Sequence, residues 1–206
     1  MRGVAEMSGV IKKLREELRD LNTKILSTPS LERPSTEVLN RFVENQLYII
    51  PHDLKALSHI LSRTTQMDEV EFFKSLVDGD YEALKALHQL AEELNIKLDY
   101  ARLSVKAVSY THFISWLALN GTPGDAAVAA AVNLPVWGEN VKRLGEIAAI
   151  LNIRSRRLFE LFSGPFETLE EKAEKIAERY LDLSRYRFIA KTIQQYELEF
   201  WNSLTE

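Results

Sequence analysis

Glu197 is the residue best placed to do chemistry, a carboxylate on the apolar side of the last helical segment. It stands four residues after Ile193 and three before Phe200, and these steps place side chains on one face of an α-helix. A carboxylate among apolar neighbours must be paired, neutralised or used, because burying it bare costs too much free energy. Two interpretations stay open. Glu197 is either an edge residue that reaches water, Tyr or Arg, or a catalytic or ligand-holding acid that faces an internal pocket.

A second group of polar residues lies where Pro51 interrupts an apolar helical pattern over 35–61. Because proline lacks the backbone donor, either the helix kinks there or a new helix starts. Tyr48, His52 and Asp53 flank this break and would form one wall of a pocket. The alternative is that His52 and Asp53 are simply exposed, as charged and polar residues usually are.

The segment from Leu98 to Leu119 has almost no polar face, which predicts a central helix that is buried on most sides. Its few polar residues include Tyr110, Thr111 and His112, and buried hydroxyls and imidazoles need hydrogen-bond partners. They indicate either satisfied structural contacts or the polar lining of a cavity.

The other patterns complete an all-α chain of seven or eight helices, since no region alternates with period two for long enough to predict a strand. We predict a turn at 78–80, a kink at Pro135, and a capping box of Thr168 and Glu171 that starts the last helix. One domain is expected over residues 1–206, with an N-terminal amphipathic helix and linker in 1–30. The predicted helices cover 8–26, 35–61, 68–77, 81–94, 98–119, 125–150, 155–162 and 168–201.

The composition excludes several kinds of chemistry. The chain has no Cys, so disulfides, thiolate nucleophiles and Cys metal sites are excluded. None of its four His lies in a His-x-x-x-His or Glu-x-x-His pair, and we expect neither a metal centre nor a cofactor. The net charge of −4 argues against nucleic acid as a partner. Residues 1–30 lack the apolar core of a signal peptide and no long apolar run follows, so we expect no membrane contact and a cytoplasmic location.

Three motifs together resemble a known family. They are Ser109-Tyr110-Thr111 on the central helix, Leu134-Pro135-Val136-Trp137 after a small-residue helix, and the terminal Tyr196-Glu197 with Phe200-Trp201. In this order on an all-α chain, they are similar to the TenA/thiaminase II family, in the wider group of PqqC-like proteins with the haem-oxygenase-like fold. The likeness covers about residues 36–203, and the terminal motif is its most specific part.

The resemblance implies a helical bundle around a central pocket, and the hydrolysis of thiamin or of its degraded aminopyrimidines in salvage. The family's catalytic Glu matches Glu197 and one of its tyrosines matches Tyr110. Pro135 stands at the family's Cys nucleophile and Leu47 at its Asp. The resemblance further places Glu139 and Phe162 at or near two other family tyrosines. Since some family members lack the Cys and use carboxylates, it allows Glu44 or Glu139 to substitute, and it implies a homo-oligomer, dimer or tetramer.

Our hypothesis is a hydrolase or deaminase that acts on a small nitrogen heterocycle. Glu197 would be its general acid or base, with Tyr110 and Trp137 holding the ring by stacking and hydrogen bonding. Two other functions stay open: a non-catalytic ligand-binding or regulatory protein, and a PqqC-like oxidase without a cofactor. The further candidate ligand-binding residues are Tyr48, Glu44, Glu139, His52 and Phe162.

Overall fold

The computed structural model describes residues 9–32 and 35–206, and this part of the chain is all α-helix, with two short 3₁₀ turns and no strand. The predicted fold class is confirmed. Residues 1–8 of the predicted domain, including the first residue of the predicted helix 8–26, lie outside the described ranges. The α-helices there are α1 Val10–Glu17, α2 Arg19–Leu26, α3 Thr36–Arg63, α4 Met67–Glu93, α5 Val105–Asn120, α6 Pro123–Ile150, α7 Arg157–Leu161, α8 Glu167–Arg179 and α9 Leu183–Ser203.

Five long helices form the body of the bundle. Helix α3 packs along α4 and α5, and α9 packs between α5 and α6, while α8 covers the outer side of α6. The two prolines at which a break or kink was predicted lie inside continuous helices, Pro51 in α3 and Pro135 in α6. No new helix therefore starts at Pro51. Where the structure describes the chain, no helix is long and apolar enough to cross a membrane.

The predicted turn at 78–80 is wrong, because α4 runs through it without a break. Asp and Gly are typical turn residues, but a helical Gly costs only about 1 kcal/mol relative to Ala. On either side, Phe72, Phe73 and Leu87 are fully buried, so burying them outweighs that local cost. Asp80 is therefore a helical residue and not a loop residue, which matters for its position in the site.

Replacing Gly79 by Ala should stabilise the protein, since Gly79 is helical and a Cβ there meets nothing within 4 Å. We expect a gain of about 1 kcal/mol and a melting temperature roughly 2–4 °C higher. The matched control is Gly138→Ala in α6, whose Cβ would lie 2.4 Å from the carbonyl oxygen of Phe162. Thermal unfolding of both variants checks this, and a Gly79→Ala protein less stable than the wild type would contradict it.

The predicted last helix, 168–201, is divided into α8 and α9. Asp182 provides the break, because its side chain accepts a hydrogen bond from the backbone N–H of Arg185 and caps α9. The expected capping box is wrong: Phe166 stands at the N-cap of α8 and makes no side-chain cap. The predicted first helix is likewise divided, at Leu18. Two divisions and one merger explain why the described ranges hold nine α-helices.

Helix α5 is less buried than its sequence indicates, and it begins only at Val105. Val105 and Leu119 are 79% and 66% exposed, and Trp116 shares an open groove with Phe188 of α9. The inner face still packs well, since Thr111 and Leu117 are buried. An apolar surface of this kind is typical of protein–protein contacts, and the expected homo-oligomer stays a prediction.

Candidate active site

The interior of the bundle holds a cavity with two lobes that share four lining residues: Asp53, Asp80, Tyr110 and Leu134. The space open to water-sized molecules is about 80 Å³ in the first lobe and about 50 Å³ in the second. An apolar cavity of about 150 Å³ is sufficient to bind benzene, so the two lobes together are of the order of size needed for one six-membered ring.

Asp53 enters the cavity from α3. It continues a helical face with Leu57 and Ile60, which line the first lobe with it. The hydroxyl of Thr111 on α5 donates a hydrogen bond to its Oδ1. Burial raises the pKa of Asp53 to about 7, against the lowering effect of that hydrogen bond. Asp53 therefore exchanges its proton near neutral pH, as a general acid or base should.

Asp80 faces the same cavity from α4, one turn after Leu76. Burial raises its pKa well above the ordinary value, and the negative charge of Asp53 raises it further. Two nearby carboxylates in a poorly solvated site do not both ionise readily, so one retains its proton while the other is charged. The pair thus holds an acid and a base together at neutral pH.

A chain of hydrogen bonds connects the cavity to Glu197. The hydroxyl of Tyr110 donates to Asn133 Oδ1 at 2.9 Å, and Asn133 Nδ2 donates to Glu197 Oε2 at 2.6 Å. The indole Nε1 of Trp201 donates to Glu197 Oε1 at 3.1 Å. Asn133 Nδ2 also donates to Gln194 Oε1 at 3.0 Å. Both oxygens of the carboxyl group are therefore accounted for by the protein itself.

Glu197 is fully buried, and burial raises its pKa to about 8 although the Trp201 hydrogen bond lowers it. It does not line either described lobe, whereas Asn133 and Tyr110 do. Of the two interpretations made from sequence, the exposed edge residue is excluded. Glu197 is a buried acid one hydrogen bond behind the cavity wall, where it orients Asn133 and, through it, Tyr110.

The second lobe has an aromatic wall formed by Trp137, Phe162 and Phe200. Trp137 packs against Phe200 with ring centroids 5.1 Å apart and against Phe162 edge to face at 6.3 Å. Trp137 also stacks on Tyr110 at 6.3 Å. The structure thus brings three of the predicted ligand-binding residues, Tyr110, Trp137 and Phe162, into one cavity.

Tyr48 and His52 lie outside this cavity. Their rings stack at 4.2 Å, and His52 Nδ1 donates to the backbone carbonyl of Tyr48. The Tyr48 hydroxyl lies 3.1 Å from His112 Nε2, on an exposed side of α3 and α5. Of the three residues predicted to form a wall at the Pro51 break, Asp53 lines the cavity and Tyr48 and His52 do not.

The two glutamates that the resemblance offered as replacement acids are also outside the cavity. Glu44 is buried but pairs with Arg102. Glu139 is exposed and borders a surface groove together with Pro135. Leu47, the position expected for the family's Asp, packs on the apolar core. The carboxylates that do reach the cavity stand elsewhere, at Asp53 and Asp80.

The sequence patterns gave no indication of Asp80, Asn133 or Gln46 as site residues, and they placed Asp53 at a pocket wall without a second carboxyl group beside it. Helical spacing contains part of the signal, because Gln46, Ile49 and Asp53 lie on one face at steps of three and four. No group of three or more His, Asp or Glu that could hold a metal ion occurs within 9–32 and 35–206.

The all-helical bundle has the haem-oxygenase-like fold, and solved structures with this fold are similar to the chain. A TenA homologue from Pyrococcus furiosus is 18% identical, with a TM-score of 0.77 over 95% of this chain and 99% of that one. A TenA homologue from Pseudomonas syringae is 9% identical, with a TM-score of 0.80 over 100% and 98%. A TenA family transcription regulator from Silicibacter is 16% identical, with a TM-score of 0.76 over 96% and 97%.

The family is identified from the sequence itself. Residues 25–206 match the model of the TENA/THI-4/PQQC family, and the chain belongs to this family. The resemblance drawn from the three motifs is thereby confirmed. No curated protein matches the chain.

Proposed function

We propose that this protein removes an amine by hydrolysis from a small nitrogen heterocycle bound in the internal cavity. The observation that carries the proposal is the Asp53–Asp80 pair, which opens onto a cavity of single-ring size with an aromatic wall. Membership in the TENA/THI-4/PQQC family supports a thiamin-related aminopyrimidine as the substrate class.

The pair supplies both proton transfers that such a reaction needs. The ionised carboxylate takes a proton from a water molecule, and the water oxygen forms a bond to the carbon that carries the amine. The protonated carboxyl gives its proton to the departing nitrogen as the carbon–nitrogen bond breaks. Water and the amine thus become an alcohol and ammonia, without a change of oxidation state.

The other residues bind and orient the substrate. Tyr110 presents its ring and hydroxyl to the cavity, and Trp137 with Phe162 forms the apolar side on which a flat ring packs. Glu197 acts through Asn133, which it holds in the orientation that accepts the Tyr110 hydroxyl. In this mechanism Glu197 is a positioning residue, while Asp53 and Asp80 exchange protons.

The test is a turnover assay with purified protein. Thiamin and a series of aminomethyl- and amino-substituted pyrimidines are incubated between pH 5 and 9, and ammonia and the hydroxylated product are quantified. The proposal expects at least one pyrimidine to release stoichiometric ammonia. If none turns over while a small molecule copurifies and binds tightly, the protein is a ligand-binding member of the family and the proposal is wrong.

A further inference from the structure

The charged residues of the cavity lining are all acidic. Among the described residues that line the two lobes, Asp53 and Asp80 are acidic and none is Lys, Arg or His. The groups that face the pair from other helices add no positive charge: Tyr110 comes from α5 and Asn133 from α6, with Glu197 of α9 behind them. A negative charge on the pair therefore has no cation among the described lining residues to neutralise it.

The pair is not fully neutralised by its own protons either. The pKa of Asp53 is about 7, while that of Asp80 is raised well above its ordinary value. The two titrate as one system, which at slightly alkaline pH has lost about one proton. Burying that single charge without a counterion costs free energy, and a cation that enters the cavity recovers it.

Gln46 is a second, independent sign of a ligand. Its side chain lines the second lobe, is only 2% exposed, and its Nε2 has no hydrogen-bond partner. A buried donor without a partner is costly and rare in proteins, and each case needs an explanation. A hydrogen-bond acceptor on a bound ligand would supply the missing partner.

The aromatic wall of the second lobe suits the same kind of ligand. Trp137, Phe162 and Phe200 present π-faces and edges, and a cation near such a face is attracted by the ring quadrupole. Aromatic contact favours a flat ring, while the carboxyl pair favours a charged amine. Both features lie in one connected cavity.

We propose that the site, in the role assigned to it above, takes its ligand as a monocation. The charged amine lies against Asp53 and Asp80, and an acceptor atom of the ligand ring lies toward Gln46. The cavity consequently selects unphosphorylated, amine-bearing heterocycles and rejects phosphorylated or carboxylated ones. The ligand itself provides the positive charge that the cavity lining lacks.

Three pyridines of equal size test this without any reaction taking place. They are 3-(aminomethyl)pyridine, a cation at pH 7.5, 3-pyridinemethanol, which is neutral, and nicotinate, an anion. Isothermal titration calorimetry on the wild-type protein should find the amine bound at least about tenfold more tightly than the alcohol, with nicotinate weakest. Equal affinities, or a preference for nicotinate, would overturn the proposal.

Two variants locate the preference within the cavity. The double variant Asp53→Asn/Asp80→Asn should reduce the advantage of the amine over the alcohol to less than about threefold, because both carboxyl groups, and with them the negative charge of the cavity, are removed. Glu139→Gln removes an exposed carboxylate outside the cavity and should leave the advantage unchanged. If the double variant does not fold, the ranking of the three ligands on the wild-type protein still decides the proposal.

The outcome is independent of catalysis. A strong preference for the amine together with no turnover of any pyrimidine would support cation selection and refute the proposed hydrolysis. Turnover without any preference among the three pyridines would support the proposed hydrolysis and refute cation selection. Gln46→Leu adds a check on the acceptor, since it should weaken 3-(aminomethyl)pyridine while leaving benzylamine, which lacks the ring nitrogen, unchanged.

Discussion

Asp53→Asn should reduce turnover by roughly 100-fold or more, the range expected for loss of a general acid–base group. Asn has nearly the same shape as Asp and can still accept the hydrogen bond from the Thr111 hydroxyl, so the fold should persist. The measurement is kcat/KM with the best pyrimidine substrate across pH 5–9. In the wild type, activity should rise with pH through about 7, as Asp53 loses its proton. This rise should be absent from any activity that Asp53→Asn retains.

The same substitution has a distinct effect on stability. The pKa of Asp53 is raised from 3.8 to about 7, so between these values the folded state keeps a proton that the unfolded state has lost. The free energy of unfolding of the wild type therefore falls as pH rises through this window. Asp53→Asn does not titrate, so its stability relative to the wild type should increase from pH 4 to about pH 7.

Asp78→Asn on the same bundle is the matched control. Asp78 is exposed and pairs with Lys74 at the surface, so the turnover and the stability of Asp78→Asn should both stay close to those of the wild type. A fully active Asp53→Asn protein would show that Asp53 takes no part in proton transfer. An inactive Asp78→Asn protein would show that the assay reports general damage.

Glu197→Gln should be the most destabilising conservative change in the site. Both oxygens of the carboxyl group keep acceptor capacity, protonated or ionised, and accept from Asn133 and Trp201, whereas the nitrogen of an amide can only donate. One of the two buried donors then loses its partner, at a cost of about 1–3 kcal/mol. Urea unfolding measures this loss, and turnover should fall with it, because Tyr110 is oriented through Asn133.

The stability lost in Glu197→Gln depends on pH. Since the pKa of Glu197 is raised from 4.5 to about 8, wild-type stability from this group is fully present below pH 4.5 and declines as pH rises to about 8. Gln does not titrate. The difference between wild type and Glu197→Gln should therefore be larger at pH 5 than at pH 8.5.

Glu199→Gln provides the comparison for Glu197, two residues along the same helix. Glu199 is only partly buried and its hydrogen bond to Gln195 lies at the surface, so its replacement should change stability by less than about 0.5 kcal/mol. Equal effects of the two substitutions on stability would mean that the buried hydrogen bonds of Glu197 do not stabilise the fold more than a surface hydrogen bond does. A loss at Glu197 that is the same at both pH values would show that its carboxyl group titrates normally.

Helical spacing was sufficient to identify the part of the site that depends on one helix. The steps from Ile193 through Glu197 to Phe200 correctly placed the carboxylate on the apolar helix face, because a helix face is a local property of the sequence, and its burial was one of the two interpretations left open. The family motifs correctly brought Tyr110 and Trp137 into one cavity. Burial follows from such patterns because apolar neighbours on one face are buried together.

The carboxyl pair could not be predicted in this way. Asp80 follows a Gly in a sequence typical of a turn, and only the packing of Phe72, Phe73 and Leu87 makes that region helical. Asp53 and Asp80 meet because α3 and α4 pack side by side, a contact between helices that no spacing within either helix encodes. The resemblance to family positions was misleading here, since it directed attention to Leu47, Glu44 and Glu139.

The hydrogen-bond chain behind the cavity has a further consequence for where the functional unit begins. Gln194, which accepts from Asn133, itself donates to Asn22 Oδ1 at 2.7 Å, and Asn22 belongs to α2. The family match starts only at residue 25, so Asn22, the last residue of this series of hydrogen bonds, lies before it. A version of the protein trimmed to the family boundary would keep every cavity-lining residue and yet lose the anchor of the amides that orient Tyr110.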